Sequence, residues 1–388
     1  MKRLLQIVSY ILVAAVASCI TLGICLKNQP APVYAGEWPK LDELMDLVDE
    51  VYIDETDKSA IADGAAAGIV GALGDRWSYY IPASEYQAYT EQMANAYVGI
   101  GITISLREDG FLDVIQVAKG GPAMEAGVEY GDVITKVEGQ SVAELGLEDA
   151  KNMIRGQEGT KVQISLERDG KELTLEVLRA TIQTEVATAK MLRNNVGLVT
   201  IVNFDARCKD ESVAAIESLL SQGAQYLIFD VRFNPGGYKH ELVQLLDYLL
   251  PEGPLFRSLD YTGAEYVDES DKNCLNIPMA VLVNGESYSA AEFFAAALSE
   301  YEAAITVGQQ TTGKGYFQNT FQLSDGSAAA LSTGKYFTPN GISLEGVGIT
   351  PDIVVEIDAD TMSAIYGGAL PAEEDPQIQA AVDALLSQ

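Results

Sequence analysis

The sequence predicts a multidomain α/β protein: an N-terminal helical region, a β-rich middle domain, and a large core of mixed sheet and helices. Three changes of pattern carry that prediction. Leu41, Leu44, Met45, Val48 and Val51 recur at helical spacing, and a second helical stretch covers residues 60–73. From about Tyr97, short apolar runs are separated by glycine turns, as in strands. From about Gln183, strand-like and helix-like segments alternate, the pattern of an α/β domain. The expected divisions are 1–27 for an apolar leading segment, 28–37 for a linker, 38–95 for the helical region, 96–182 for the β-rich domain and 183–388 for the core.

The leading segment begins with Met1, Lys2 and Arg3, followed by a largely apolar run over residues 4–26. About 23 such residues span a bilayer and exceed a signal-peptide core, so an uncleaved single-pass anchor is expected. The basic residues favour a cytoplasmic N-terminus, leaving the rest of the chain extracytoplasmic. Two processed forms are the alternatives. Val16-Ala17-Ser18-Cys19 resembles a lipoprotein cleavage box, and Val33-Tyr34-Ala35 a signal-peptidase site.

Composition excludes several classes. With 56 Asp plus Glu against 25 Lys plus Arg, the formal net charge is -31, which argues against a nucleic-acid partner. Four cysteines make no disulfide framework, and Cys19 and Cys25 fall in the apolar segment; only Cys208 and Cys274 remain as a conceivable pair. One histidine and scattered cysteines offer no zinc or haem site, so no cofactor is expected. At 388 residues and 48% hydrophobic content the chain can hold two or three domains with proper cores.

In the helical region's final part, Asp75-Arg76-Trp77-Ser78-Tyr79-Tyr80-Ile81-Pro82 reads as aromatic packing. In the β-rich part, Ile100, Ile102 and Ile104 alternate as one strand face would. In the core, residues 196–204 read as strand, 211–220 as helix and 226–231 as strand. Asn234-Pro235-Gly236-Gly237 then forms a turn with unobstructed backbone N–H groups, and an amphipathic helix follows with His240 in its first turn.

The chemistry concentrates after that helix. An apolar run over residues 277–283 breaks at Asn284-Gly285, and Ser287 and Ser289 precede an alanine-rich helix. A serine at a helix N-terminus lies near N–H groups without intrahelical partners, which would stabilise an oxyanion. Ser289-Ala290-Ala291-Glu292 equally fits an S-x-x-E capping box, and a capping serine is the commoner occurrence. A second apolar run, residues 303–307, leads to Gly313-Lys314-Gly315. Gly308 and Gly313-Lys314 resemble the front of a phosphate-binding loop, but Gly315 stands where Ser or Thr would hold magnesium, and residues 316–321 alternate like a strand rather than a helix. Because His240 is the lone histidine, a Ser-His-Asp triad has little to draw on, and lysine is the better base for a nucleophilic Ser289. That role requires lowering the lysine pKa by roughly 3 units, a differential cost of about 4 kcal/mol that burial must supply.

These residues resemble the C-terminal processing (tail-specific) serine peptidases, which carry a PDZ domain and a Ser-Lys dyad. Ser287-Tyr288-Ser289-Ala290-Ala291-Glu292 is similar to the family's S-A-S-A-S-E, with Tyr288 and Ala291 as departures. The resemblance implies Ser289 as nucleophile, Lys314 as base and Gln318 as the residue that orients the lysine. Residues 229–237 are similar to L-D-L-R-x-N-P-G-G, implying oxyanion donors at the backbone of Ala290 and of Gly236 or Gly237, with Gly237 preferred. Tyr97-Val98-Gly99-Ile100-Gly101 resembles a PDZ carboxylate-binding loop, and residues 121–134 the family's x-P-A-x-x-A-G-x-x-x-G-D-x-I stretch; Arg155 is the cation that would respond to a bound peptide. Residues 75–82 resemble the D-P-Y-S-x-Y-L-x-P segment that leads into the PDZ domain, and the closing turns and last helix, residues 338–352 and 373–381, agree as well.

The function so implied is a bacterial serine endopeptidase that docks protein or peptide tails with apolar C-termini on its PDZ domain and cleaves through an acyl-enzyme, without metal or nucleotide. The alternative is a catalytically inactive PDZ adaptor that only binds tails. Homo-oligomerisation is left open.

Overall fold

The computed structural model describes residues 38–387. The apolar run over residues 4–26 and its candidate cleavage sites lie outside them. Among the described residues no helix is long and apolar enough to cross a membrane. The chain divides into two compact units, the first ending at Ala65 and the second running from Ala66.

In the first unit, helix α1 (Pro39–Val51) starts with proline at its first turn, where a missing N–H costs nothing, and an exposed Lys58–Asp49 ion pair of 2.8 Å ties the start of α2 (Lys58–Gly71) to it. The rest of α2 belongs to the second unit, which continues with strand β1 (Tyr79–Ile81) and helix α3 (Ala83–Met93). Although it falls within a segment read as helical, β1 pairs antiparallel with residues Ala328 to Ala330 far downstream.

The β-rich part contains β2 (Ala96–Gly99), β3 (Ile102–Leu106), β4 (Leu112–Val117), the short helix α4 (Pro122–Glu125), β5 (Val133–Val137), β6 (Gln140–Ser141), the short helix α5 (Val142–Leu145), α6 (Leu147–Ile154), β7 (Lys161–Arg168), β8 (Lys171–Leu178) and β9 (Ala180–Gln183). Its main sheet runs β3-β4-β5-β7-β8 with β6 on β5, while β2 pairs β9. Leu112, Val114, Ile134, Val162, Ile164 and Leu166 are fully buried at its centre, and α6 contributes Ala150 and Ile154. Strand β3 lies at the sheet's edge beside α6, leaving one ladder side free for a further strand.

The core follows with β10 (Ala187–Met191), β11 (Val196–Ile201), α7 (Cys208–Ser221), β12 (Tyr226–Asp230), α8 (Lys239–Leu249), β13 (Gly253–Asp260), β14 (Glu265–Ser270), β15 (Met279–Val283), α9 (Ala290–Glu300), β16 (Ala304–Gly308), β17 (Tyr316–Gln322), β18 (Ala328–Phe337), β19 (Ile353–Val354), α10 (Ala359–Tyr366) and α11 (Pro376–Leu386). One sheet, ordered β10-β11-β12-β15-β16-β19, is parallel from β11 onward. Helices α7, α8 and α9 cover one of its faces, with Val199, Ile201, Phe229, Val281 and Val283 beneath them. On the other face Leu198, Ile228, Ala280, Leu282 and Val307 pack on α11. Burial on both faces explains why β15 reads as an unbroken apolar run, MAVLV, rather than an alternation. A second, antiparallel sheet joins β1, β18, β13 and β14, with β17 on β18.

Candidate active site

Beyond β15 the chain turns sharply before entering α9. Ser287 is fully buried; its Oγ donates to Val231 O at 2.7 Å and accepts from Asn284 N at 3.0 Å, so it anchors the turn. Two positions on, Ser289 caps α9 with φ 58° and ψ -125°, a backbone conformation costly for any residue with a Cβ. Such strain recurs at strand-to-helix turns that hold out a nucleophilic serine. Ser289 is 8% exposed, which leaves a narrow approach.

Glu292 links this turn to the lysine loop. Its fully buried carboxylate accepts from Ser289 N (3.0 Å) and Lys314 N (2.8 Å) on Oε2, and from Gly313 N (2.7 Å) and Thr311 Oγ1 (2.5 Å) on Oε1. Burial raises its pKa, against the pull of these hydrogen bonds. The S-x-x-E pattern is therefore a capping contact whose glutamate also fixes the segment carrying Lys314.

Lys314 is partly buried, and among the described residues no carboxylate lies within ion-pair distance of its ammonium. Burial lowers its pKa to about 8, while the charges of Asp75, Glu345 and Glu292 act in the opposite sense. Its ammonium instead lies 5.1 Å from the Trp77 ring centroid and 5.7 Å from that of Tyr288. The flanking glycines serve packing: a Cβ on Gly313 would sit 2.9 Å from the backbone of Val347 and Gly348, and one on Gly315 would sit 2.8 Å from Glu345 N. Gln318, in β17, donates from Nε2 to Ser332 Oγ (3.0 Å) and Tyr316 O (3.2 Å), and no hydrogen bond joins it to Lys314.

The Asn234-Pro235-Gly236-Gly237 turn packs against the start of α9. A Cβ on Gly236 would lie 2.8 Å from Ser289 Cβ and 2.9 Å from Ala290 N. The N–H of Gly236 donates to Asn234 Oδ1 at 2.8 Å. Gly237 differs, because Phe204 bonds to Gly236 O and Tyr238 N on either side of it, so its own N–H points away from that bridge. Neither Gly237 N–H nor Ala290 N–H has an acceptor among the described residues.

Beside β3 and α6 lies an open cavity of about 310 Å³ lined by Tyr97, Gly99, Ile100, Gly101, Ile102, Ile104, Lys151 and Arg155, among others. Val98 is not part of its lining; it sits in β2 opposite Thr181. The exposed Arg155 guanidinium stands 5.1 Å from the Tyr97 ring centroid at the cavity's mouth.

His240 is exposed, with Nε2 3.2 Å from Glu241 Oε1 and its ring beside Tyr238. Gly308 packs so tightly against Val283 O that a Cβ would sit 2.0 Å from it, and a strand follows Lys314 where a phosphate-binding loop has a helix. Cys208 is buried, Cys274 is exposed, and both are free thiols.

The sequence pattern carried no sign that Trp77, Asp75 or Glu345 would surround Lys314. The Trp77 indole N–H donates to Glu345 Oε1 at 3.0 Å, and Glu345 accepts from Gly315 N at 2.8 Å. Asp75 accepts from Ser78 Oγ at 2.6 Å and from Trp77 N at 3.0 Å. Burial opposes ionisation of Asp75, but neighbouring donors at Ser332, Ser78 and Trp77, with the Lys314 charge, hold its carboxyl below the usual range.

Residues 98–178 match the family model for the PDZ domain and residues 195–355 that for peptidase family S41. The chain is 32% identical over 366 residues to the carboxy-terminal processing protease CtpA of Bacillus subtilis (strain 168), spanning 92% of this chain and 78% of that protein. It is 29% identical over 321 residues to a probable CtpA-like serine protease of Staphylococcus aureus (strain N315), spanning 82% of this chain and 64% of the other. A solved structure of a putative S41 protease from Bacteroides fragilis NCTC 9343 shares the fold, with a TM-score of 0.55 at 16% identity over 92% of this chain and 99% of that one.

Proposed function

Because the chain belongs to the C-terminal processing serine proteases of peptidase family S41 that carry a PDZ domain, we propose that it cleaves proteins through a Ser289–Lys314 dyad after capturing their C-terminal tails. The observation that carries the dyad is the setting of Lys314: a largely buried amine with no ion-pair partner among the described residues, on a loop that Glu292 ties to the backbone of Ser289. An ammonium so placed loses its proton far more readily than an exposed one.

Neutral Lys314 takes the Ser289 hydroxyl proton as Oγ attacks the scissile carbonyl. The resulting oxyanion accepts hydrogen bonds from Gly237 N–H and Ala290 N–H. As the tetrahedral species collapses, Lys314 returns the proton to the departing amine, and water then hydrolyses the acyl-enzyme by the same exchange in reverse. Gln318 steadies the lysine loop through its bond to Ser332 on the adjoining strand. The substrate tail adds as a strand to the free edge of β3, its last apolar side chain entering the cavity beside Ile100 and its carboxylate meeting the backbone around Gly99, Ile100 and Gly101 at the end of β2, with Arg155, beside Tyr97, supplying positive charge. The apolar N-terminal segment, read from the sequence alone, would hold the enzyme at the membrane with its catalytic part outside.

The test is cleavage of an unstructured protein with an apolar C-terminus, without ATP or metal, by wild type, Ser289→Ala and Lys314→Ala. Both variants should lose cleavage by at least about a thousandfold while still binding the tail, and wild-type kcat/KM should rise with pH through about 8. Tail binding without any cleavage by the wild type would favour the adaptor instead.

A further inference from the structure

A lysine base faces two opposed demands. Its long side chain has to be held still, yet a carboxylate that held it would also keep it protonated. Aromatic faces meet both demands, since they attract an ammonium by only about 0.5–2 kcal/mol while excluding water from it.

Such faces surround Lys314. Trp77 and Tyr288 are stacked with centroids 6.3 Å apart and planes inclined by 23°, and the ammonium lies against both rings. Trp77 is held on three sides: its indole N–H by Glu345, which also accepts from Gly315 N, its backbone N–H by Asp75, and its ring by the Arg76 guanidinium at 4.1 Å. Arg76 Nη2 in turn donates to Gly313 O at 2.8 Å. Ser78 Oγ accepts from Ser332 N at 2.9 Å, and β1 then pairs with β18. Residues 75–78 thus form a strap across the lysine loop, belonging to neither stretch matched by the PDZ and peptidase family models.

We propose that Trp77 and Tyr288 are positioning residues that hold the Lys314 side chain in place and keep water from its amine. The proposal rests on Lys314 being the base. The charged and titratable groups facing the amine are Asp75 and Arg76 on the strap, Glu345 on the loop after β18, Glu292 on α9, and the Tyr288 hydroxyl. Each carboxylate accepts hydrogen bonds from other donors, and the surfaces that lie against the amine are the Trp77 and Tyr288 rings.

The pH dependence of kcat/KM tests this in wild type, Trp77→Leu, Trp77→Phe, Tyr288→Ala and Tyr288→Phe, with Lys314→Ala as control. Losing a ring admits water, which favours the ammonium, so Trp77→Leu and Tyr288→Ala should move the acid limb up by about one pH unit. Activity one unit below the wild-type midpoint then falls about tenfold and recovers at high pH. The ring-preserving Phe variants should return the limb to within about 0.3 units of wild type. The half-buried Tyr288 provides the test if Trp77→Leu does not fold. An equal loss at every pH with an unmoved midpoint in both ring-deletion variants overturns the proposal, leaving the dyad intact if Lys314→Ala is inactive. Wild-type activity in Lys314→Ala would overturn the dyad, and this proposal with it.

Discussion

At Lys314 the proposed base role sets stability against chemistry. Its pKa is near 8 when folded and about 10.5 when unfolded, so between those values the unfolded chain binds more protons. Stability therefore falls as pH drops through this window, and below about 8 the whole penalty is present. Methionine has similar reach and no charge to desolvate. Lys314→Met should raise unfolding stability by about 2 kcal/mol at pH 7 and by almost nothing at pH 11, while abolishing cleavage. Urea titrations at the two pH values measure the difference; an equal gain at both would show that desolvation of the ammonium is not its origin.

At the scale of elements, the site is a meeting of two turns, each following a buried parallel strand. The turn after β12 supplies Gly236 and Gly237, and the turn after β15 supplies Ser289 and Ala290 at the start of α9. Asn234 joins them, since its backbone O accepts from Tyr288 N at 3.1 Å while its side-chain Nδ2 donates to Ile201 O at 2.8 Å. The approach is closest at Gly236, whose φ of 92° already disfavours a side chain. Gly236→Ala should cost about 2–4 kcal/mol of stability and at least about a hundredfold in kcat, because the new methyl displaces Ser289. Denaturation and single-turnover kinetics check the two effects separately.

Across the whole molecule, distant segments hold the site in place. Arg232, just before the glycine turn, is buried with Asp230 at 2.6 Å and with Asp375 at 2.8 Å. Asp375 also caps α11, accepting from Gln377 N and Ile378 N. The C-terminal helix thereby fastens to the loop behind the proposed oxyanion site. Asp375→Ala removes a cap and a charge-assisted bond but leaves Arg232 paired with Asp230, so a loss of about 2–4 kcal/mol is expected in urea unfolding. Asp375→Asn, which can still cap, should recover about 1 kcal/mol of it.

Much of this protein was legible from neighbours in the chain. The succession of strands and helices, the serine at the head of α9, the Gly-Lys-Gly loop and the Pro-Gly-Gly turn are written in local periodicity and in glycines, which report backbone conformation directly. Sequence alone also left lysine as the better candidate base, because the chain has a single histidine. The surroundings of that lysine were decided only by tertiary structure. Arg76 and Gly313 are 237 positions apart yet hydrogen-bonded, and Trp77, Tyr288 and Glu345 converge from three separate segments. Whether Gly236 or Gly237 keeps a free N–H likewise depends on Asn234 and Phe204 closing around the turn. Local pattern specifies the path of the backbone; how dry an amine is, and which donors are left unpaired, are properties of what packs against it.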